Sequence, residues 1–180
     1  ELIMSRLGVL YALKEDELNK LRSLPHDERY DYMLEEIEET LLETPRGCEL
    51  DKAWEGIQYC LGGGEWDEEN SVPTNIVFGG EFLVETEDEI ITLKTHSEVK
   101  QIVVYLHQNN LQEIIRKNFP LINDQEYSLR KNDDTLNYLL GWSGDIQSFY
   151  ENAQKEGCSV IFTADLYQRQ KILITSTYAA

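Results

Sequence analysis

Few residues in this chain of 180 have both the type and the spacing for chemistry. Its three histidines, His26, His96 and His107, stand far apart, and none sits in a recognisable nucleophile motif. Nucleophilic catalysis needs a nucleophile, a base and an orienting group in contact. His96 falls in a helix-cap region and His107 near a helix end, where a cation suits the dipole, so surface or capping roles are expected. Cys48, Cys60 and Cys158 are odd in number and widely spaced. That pattern is neither a disulfide framework nor a CxxC metal motif. It predicts reduced, buried thiols and a cytoplasmic location.

Gly62-Gly63-Gly64 resembles a phosphate cradle only in composition. Such a loop leads into a helix N-terminus, often with a lysine. Here the glycines follow a helical pattern and precede acids, so they predict a helix stop. The loop Glu65-Trp66-Asp67-Glu68-Glu69-Asn70-Ser71 crowds oxygens together. It lacks the alternation, central Gly and final Glu of a calcium loop. With 34 acidic residues, no carboxylate pair is informative for acid–base work. No catalytic set, metal site or cofactor is expected. Of the tryptophans, Trp54 reads as core, and Trp66, in the acidic loop, reads as exposed and site-like.

The acidity is unevenly placed. Residues 1–90 carry 24 Asp/Glu against 7 Lys/Arg, a net of −17, while residues 91–180 carry 10 against 9, a net of −1. Such a skew repels nucleic acid and anionic membrane surfaces and favours a cationic partner. No apolar run approaches the roughly 20 residues of a membrane helix. Length and composition fit one domain over 4–180, with Met4 as the start and Glu1-Leu2-Ile3 left out of the fold.

The elements that must position these residues follow from periodicity. Leu7–Leu13 reads as a buried strand. Lys14–Leu24 is a helix ending before Pro25. From Asp27 to Glu43, Tyr30, Met33, Leu34, Ile37 and Leu41 form one apolar stripe. The other faces of that helix are acidic, including Asp31, Glu35, Glu38 and Glu39. Leu50, Trp54, Ile57 and Leu61 predict a helix over Asp51–Leu61. Ile76–Val84, with Gly79-Gly80 inside it, reads as extended or turn structure. Thr95 and Glu98 form a capping box for a following helix, and Leu111–Ile115 starts another. A helix over Asp133–Leu140 is expected to break at Gly141, and Ser143 to cap the next, which stops at Gly157. Ser159–Thr163 is β-branched strand, and Lys171–Thr175 a candidate final one. The fold class is α+β: a helix-rich single domain with a small sheet formed by strands near both chain ends.

Asp51-Lys52-Ala53-Trp54 leads into Glu55-Gly56-Ile57-Gln58-Tyr59-Cys60-Leu61-Gly62-Gly63. This block resembles the signature of the YfbM-like bacterial proteins, a family of unknown function. Met4-Ser5-Arg6-Leu7-Gly8, Phe78-Gly79-Gly80, Phe149–Ala153 and Val160-Ile161-Phe162 are similar to further segments of that family, in the same order. The resemblance implies a bacterial, cytosolic α+β fold and supplies no activity or catalytic residues. The chain departs at Gly62, where a small hydroxyl residue is commoner.

Two functional expectations result. The first is a non-catalytic, inhibitor- or immunity-like protein that docks a basic partner through Asp31, Glu35, Glu38 and Glu39 on the helix and Glu65, Trp66, Asp67, Glu68 and Glu69 in the loop. The second is a small-molecule binder or enzyme with a pocket near Asp51, Trp54, Tyr59, Gly79 and Gly80. Against both stands acidity serving solubility alone.

Overall fold

The computed structural model describes residues 7–165. The strand expected at Lys171–Thr175 and the residues Met4 to Arg6 lie outside the described residues. The first strand, β1 (Leu7–Leu13), is buried along nearly its whole length. It has helices over both faces, which is why it reads as a continuous apolar run rather than an alternating one. Helix α1 (Glu15–Ser23) starts where Lys14 N–H donates to Glu17 Oε1 at 2.8 Å. Helix α2 (His26–Tyr32) passes directly into a π-type turn, Met33–Glu38, and then α3 (Glu39–Leu41). Met33, Ile37 and Leu41, four residues apart, would drift by about 40° per step on an ideal α-helix. The wider turn takes up part of that drift and keeps all three buried.

Strand β2 (Gly47–Asp51) precedes α4 (Ala53–Leu61). Strands β3 (Glu81–Glu85) and β4 (Glu89–Lys94) form a hairpin. Then come α5 (His96–Gln108), α6 (Leu111–Asn118), α7 (Asp133–Ser143), α8 (Ile146–Lys155) and β5 (Ser159–Asp165). The Thr95–Glu98 capping box forms as expected, with both reciprocal bonds at 3.3 Å. The sheet order is β2-β1-β5-β4-β3, antiparallel throughout. The two strands nearest the chain ends therefore share its centre, with Leu10 opposite Phe162 and Tyr11 opposite Ile161. The fold is α+β, as the patterning implied.

Strand periodicity divides the core in two. Val9, Tyr11, Leu13, Ile91, Leu93 and Ile161 face Leu21, Tyr30, Met33, Ile37 and Leu41 of α1–α3. Leu10, Ala12, Leu50, Val160, Phe162 and Ala164 face the larger helical layer, including Trp54, Ile57, Ile102, Phe149 and Tyr150. Gly8 permits a close approach in that layer. A Cβ there would lie 2.6 Å from the Trp54 ring.

Four local expectations need correction. Leu50 belongs to β2 rather than to a helical stripe, because Cys48 and Leu50 alternate inward as strand residues. Asp51 does not start α4: it ends β2 at φ 49°, Lys52 is the N-cap, and the helix begins at Ala53. Gly141 does not break a helix, since α7 runs through it to Ser143. Ser143 caps nothing; its Oγ donates back to Leu140 O at 2.9 Å, and Asp145 precedes α8.

Strand β3 is an edge, and its exposed side is blunted. It carries a bulge between Phe82 and Val84, with exposed Glu81 and Glu85 at its ends. Arg29 Nη1 donates to Leu83 O at 2.8 Å, occupying a carbonyl that another strand would use.

Candidate functional site

The residues that could act converge beside this edge, over the larger helical layer. A cleft of about 310 Å³ is lined by Trp66, Asp67, Glu68, Glu69 and Asn70 from the acidic loop, and by Phe78, Gly79 and Gly80 from the turn before β3. Phe82 and Glu85 of β3 complete it, with Gln58, Thr74 and Asn75 at its base. Its walls are aromatic. The Trp66 and Phe78 rings meet edge-on at 5.0 Å between centroids, and Phe78 meets Phe82 at 5.6 Å. Behind them, Trp54 stacks on Phe78 at 6.0 Å with 14° between planes. Phe82 is 42% exposed, high for so large an apolar ring. Among the described residues, no Lys, Arg or His lies within ion-pair distance of Asp67, Glu68, Glu69 or Glu85.

The turn over residues 73–80 crosses the core as irregular backbone, so its polar groups need partners away from water. Three buried side chains from three elements supply them. Gln58 of α4 donates through Nε2 to Thr74 O and accepts Phe78 N–H at Oε1, both at 3.0 Å. Tyr150 of α8 donates to Ile76 O at 2.6 Å. Lys94 of β4 donates to Val77 O, and to Thr92 Oγ1 at 3.0 Å, with its Nζ 5.5 Å from the Phe162 ring centre. The turn closes on itself through Gly79 N–H to Thr74 O, 3.0 Å. Gly80 takes φ 121° and runs against β4, where a Cβ would meet Leu93 O at 2.3 Å. The acidic loop is tied to the same turn by Thr74 Oγ1 donating to Glu69 O, 2.7 Å, and by Asn75 Nδ2 donating to Asn70 Oδ1, 2.6 Å.

Burial sets the unusual protonation here. It holds the Lys94 amine well below the ordinary lysine range, with the Glu98 carboxylate pulling the other way. It pushes the Tyr150 hydroxyl well above the ordinary range. The thiols of Cys48 and Cys60 are pushed up to about 12, chiefly by burial. All three cysteines are free and buried, as their spacing suggested, and none has the depressed thiol that reactivity requires.

The residues singled out in the sequence are divided by the fold. Trp66, Asp67, Glu68 and Glu69, proposed for one site, share the cleft with Gly79 and Gly80, proposed for another. Glu65 is exposed in the same loop and lines a shallow depression beside Gly62. Trp66 is half-buried rather than exposed, because its ring packs on Trp54, Tyr59 and Phe78. Trp54 and Tyr59 are each 7% exposed and stand behind the cleft without lining it. Asp51 is elsewhere, in a shallow depression with Lys52, Asn132 and Tyr138. There its Oδ2 accepts the Tyr138 hydroxyl, which accepts Lys52 N–H at 3.1 Å. Burial, and then that carboxylate, raise the Tyr138 hydroxyl above its ordinary range.

Asp31, Glu35 and Glu39 are exposed on the helical layer over the opposite face of the sheet. Glu38 is half-buried there and faces the Tyr11 hydroxyl, which burial first and this carboxylate next push far up. The sequence reading missed Gln58, Thr92, Lys94 and Tyr150. Lys94 did carry a signal: a lysine at the inward register of a β-branched run. The histidines sit at the surface, His107 pairing with Glu151 at 2.9 Å and His96 beside Gln154 O at 3.4 Å. Among the described residues, no group of three or more His, Cys, Asp or Glu is placed to hold a metal ion. No helix there is long and apolar enough to cross a membrane.

Fold and cleft together define a class: an α+β protein with its end strands paired at the centre of one antiparallel sheet and an acidic, aromatic cleft beside its edge. The chain belongs to the family described as a domain of unknown function, DUF1877, whose model matches residues 4–163. It is similar to the crystal structure of YfbM from Escherichia coli, a protein of unknown function. The TM-score is 0.62 at 19% identity, covering 88% of this chain and 99% of that one. At that identity the likeness speaks to fold alone. No curated protein matches the chain.

Proposed function

We propose that this chain is a non-catalytic acidic binding protein that docks a basic protein partner, with the cleft gripping a guanidinium or ammonium side chain. The observation that carries this reading is the pairing of the Trp66–Phe78–Phe82 wall with the carboxylates of Asp67, Glu68, Glu69 and Glu85 in one concavity. Cations are attracted to aromatic faces, more strongly as they are desolvated. Unpaired carboxylates around such a wall add long-range attraction and raise the association rate.

A hexa-arginine peptide is a direct probe. Calorimetric titration is expected to give saturable binding that weakens as salt rises, together with a change in Trp66 fluorescence. Binding unchanged between low and high salt, or unaltered in Trp66→Ala, would overturn the reading. A second reading, a small organic cation as the natural ligand, is favoured by one observation: the cleft volume lies near the lower end of small-molecule sites. Free arginine amide binding as tightly as the peptide would select it.

A further inference from the structure

Lys94 is the one chemically costly choice among the three side chains that hold the turn over residues 73–80. Gln58 and Tyr150 are neutral. Lys94 carries an amine, is 0% exposed, and has no carboxylate within ion-pair distance among the described residues. An amine buried without a close carboxylate gives up its proton at a free-energy cost that an apolar side chain of similar volume would avoid. Methionine would fill the same space above Phe162, so packing alone does not require lysine. What methionine lacks is the donor to Val77 O. That carbonyl belongs to the residue immediately before Phe78, whose ring is the middle member of the aromatic wall. Phe78 N–H is fixed from the other side by Gln58. The peptide unit leading into Phe78 is thus clamped at both ends, from β4 and from α4. Without the amine, the Val77 carbonyl would be left buried and unpaired, a cost that favours a shift of this peptide unit.

We propose that Lys94 is a positioning residue for the cleft: bonded to the Val77 carbonyl from inside the core, it holds the Phe78–Gly80 wall in the orientation that receives a cation. Lys94 never touches the ligand. Its side chain reaches the site through the backbone of the wall, and Thr92 Oγ1 holds the amine in line. This inference rests on the cleft reading for its ligand, and the structural part of it is testable without one.

The test compares wild type with Lys94→Met and Thr92→Val by amide hydrogen exchange and hexa-arginine titration. Phe78 and Gly79 N–H are both bonded, so their exchange reports the wall directly. In Lys94→Met, exchange at these two amides is expected to rise at least about tenfold, while amides of the β1–β5 ladder exchange as in wild type. Affinity for the peptide is expected to fall at least about fivefold, without loss of global stability. A variant that exchanges and binds like wild type would overturn the proposal, since a space-filling role predicts that result. If Lys94→Met does not fold, Thr92→Val decides: faster exchange at Phe78 and Gly79 supports the clamp, and unchanged exchange overturns it. If wild type itself does not bind the peptide, the cleft reading fails, while the exchange result still settles whether Lys94 holds the wall.

Discussion

Both faces of the sheet are acidic, but they hold their carboxylates differently. Over the α1–α3 layer, acids are spread along exposed helix surface and several are already engaged. Glu36 pairs with Lys20 at 2.6 Å, Glu81 at the nearby edge pairs with Arg22 at 3.0 Å, and Glu38 faces Tyr11. Over the larger helical layer, Asp67, Glu68, Glu69 and Glu85 surround a concavity with aromatic walls and have no cationic partner among the described residues. Net charge therefore does not by itself distinguish a solvated face from a receptor. The proposed distinction rests on concavity, aromatic surface and unspent charge in the same place.

Substitutions can break this comparison. The largest effect is expected in the core that supports the cleft: Trp54→Ala should cost about 3–5 kcal/mol in denaturant unfolding, because it empties space beneath Gly8, Phe78 and Phe162. Next comes the pH dependence of Lys94. A lysine whose folded pKa is depressed is neutral in the folded protein while the unfolded chain still binds a proton, so stability rises with pH up to the unfolded value near 10.4. Between pH 8 and 10, wild type should therefore gain on Lys94→Met by up to about 1.4 kcal/mol per pH unit, read from paired urea midpoints. Glu98, the carboxylate that acts on this amine, opposes the shift and is outweighed by burial.

The direct contrast between the faces is third. Asp67→Asn with Glu69→Gln should weaken hexa-arginine binding about tenfold, about 1.4 kcal/mol. Asp31→Asn with Glu35→Gln should change it less than about twofold, through long-range field alone. Equal losses from the two pairs would return the protein to a uniformly acidic surface. The smallest effect is Lys20→Ala, which should move the unfolding free energy by less than about 0.5 kcal/mol, because the Lys20–Glu36 pair is exposed.

The elements legible in the sequence were those whose signal is local. Leu7–Leu13 and Ser159–Thr163 declare themselves by buried runs, and Thr95 with Glu98 by a cap that needs only four residues. What stayed hidden depended on partners far along the chain. Residues 47–51 read as the approach to a helix because Leu50 happens to fall in phase with Trp54. Only pairing with β1 makes them a strand. The cleft is half visible in the sequence: its acidic loop and its Gly-Gly turn each carry a signal, but one that points to separate sites. Trp66 joins them by packing on Phe78, and no spacing along the chain reports a contact of that kind. Gln58 and Lys94 carry no local signal of their role, because it lies in backbone groups 16 and 17 residues away.

The pairing of β1 with β5 bears on how the molecule is made. Its central ladder joins Leu7 to Asp165, so the first described strand waits for the last described one. At ordinary elongation rates of 5–20 residues per second, that wait is about 8–30 s. During it β1 has only β2 on one side, and its other edge is open, apolar and sticky. Contacts of such long range are also slow to form in the released chain. Synthesis should thus pass through a stage in which a chaperone, or another nascent chain, competes for the edge that β5 will finally occupy.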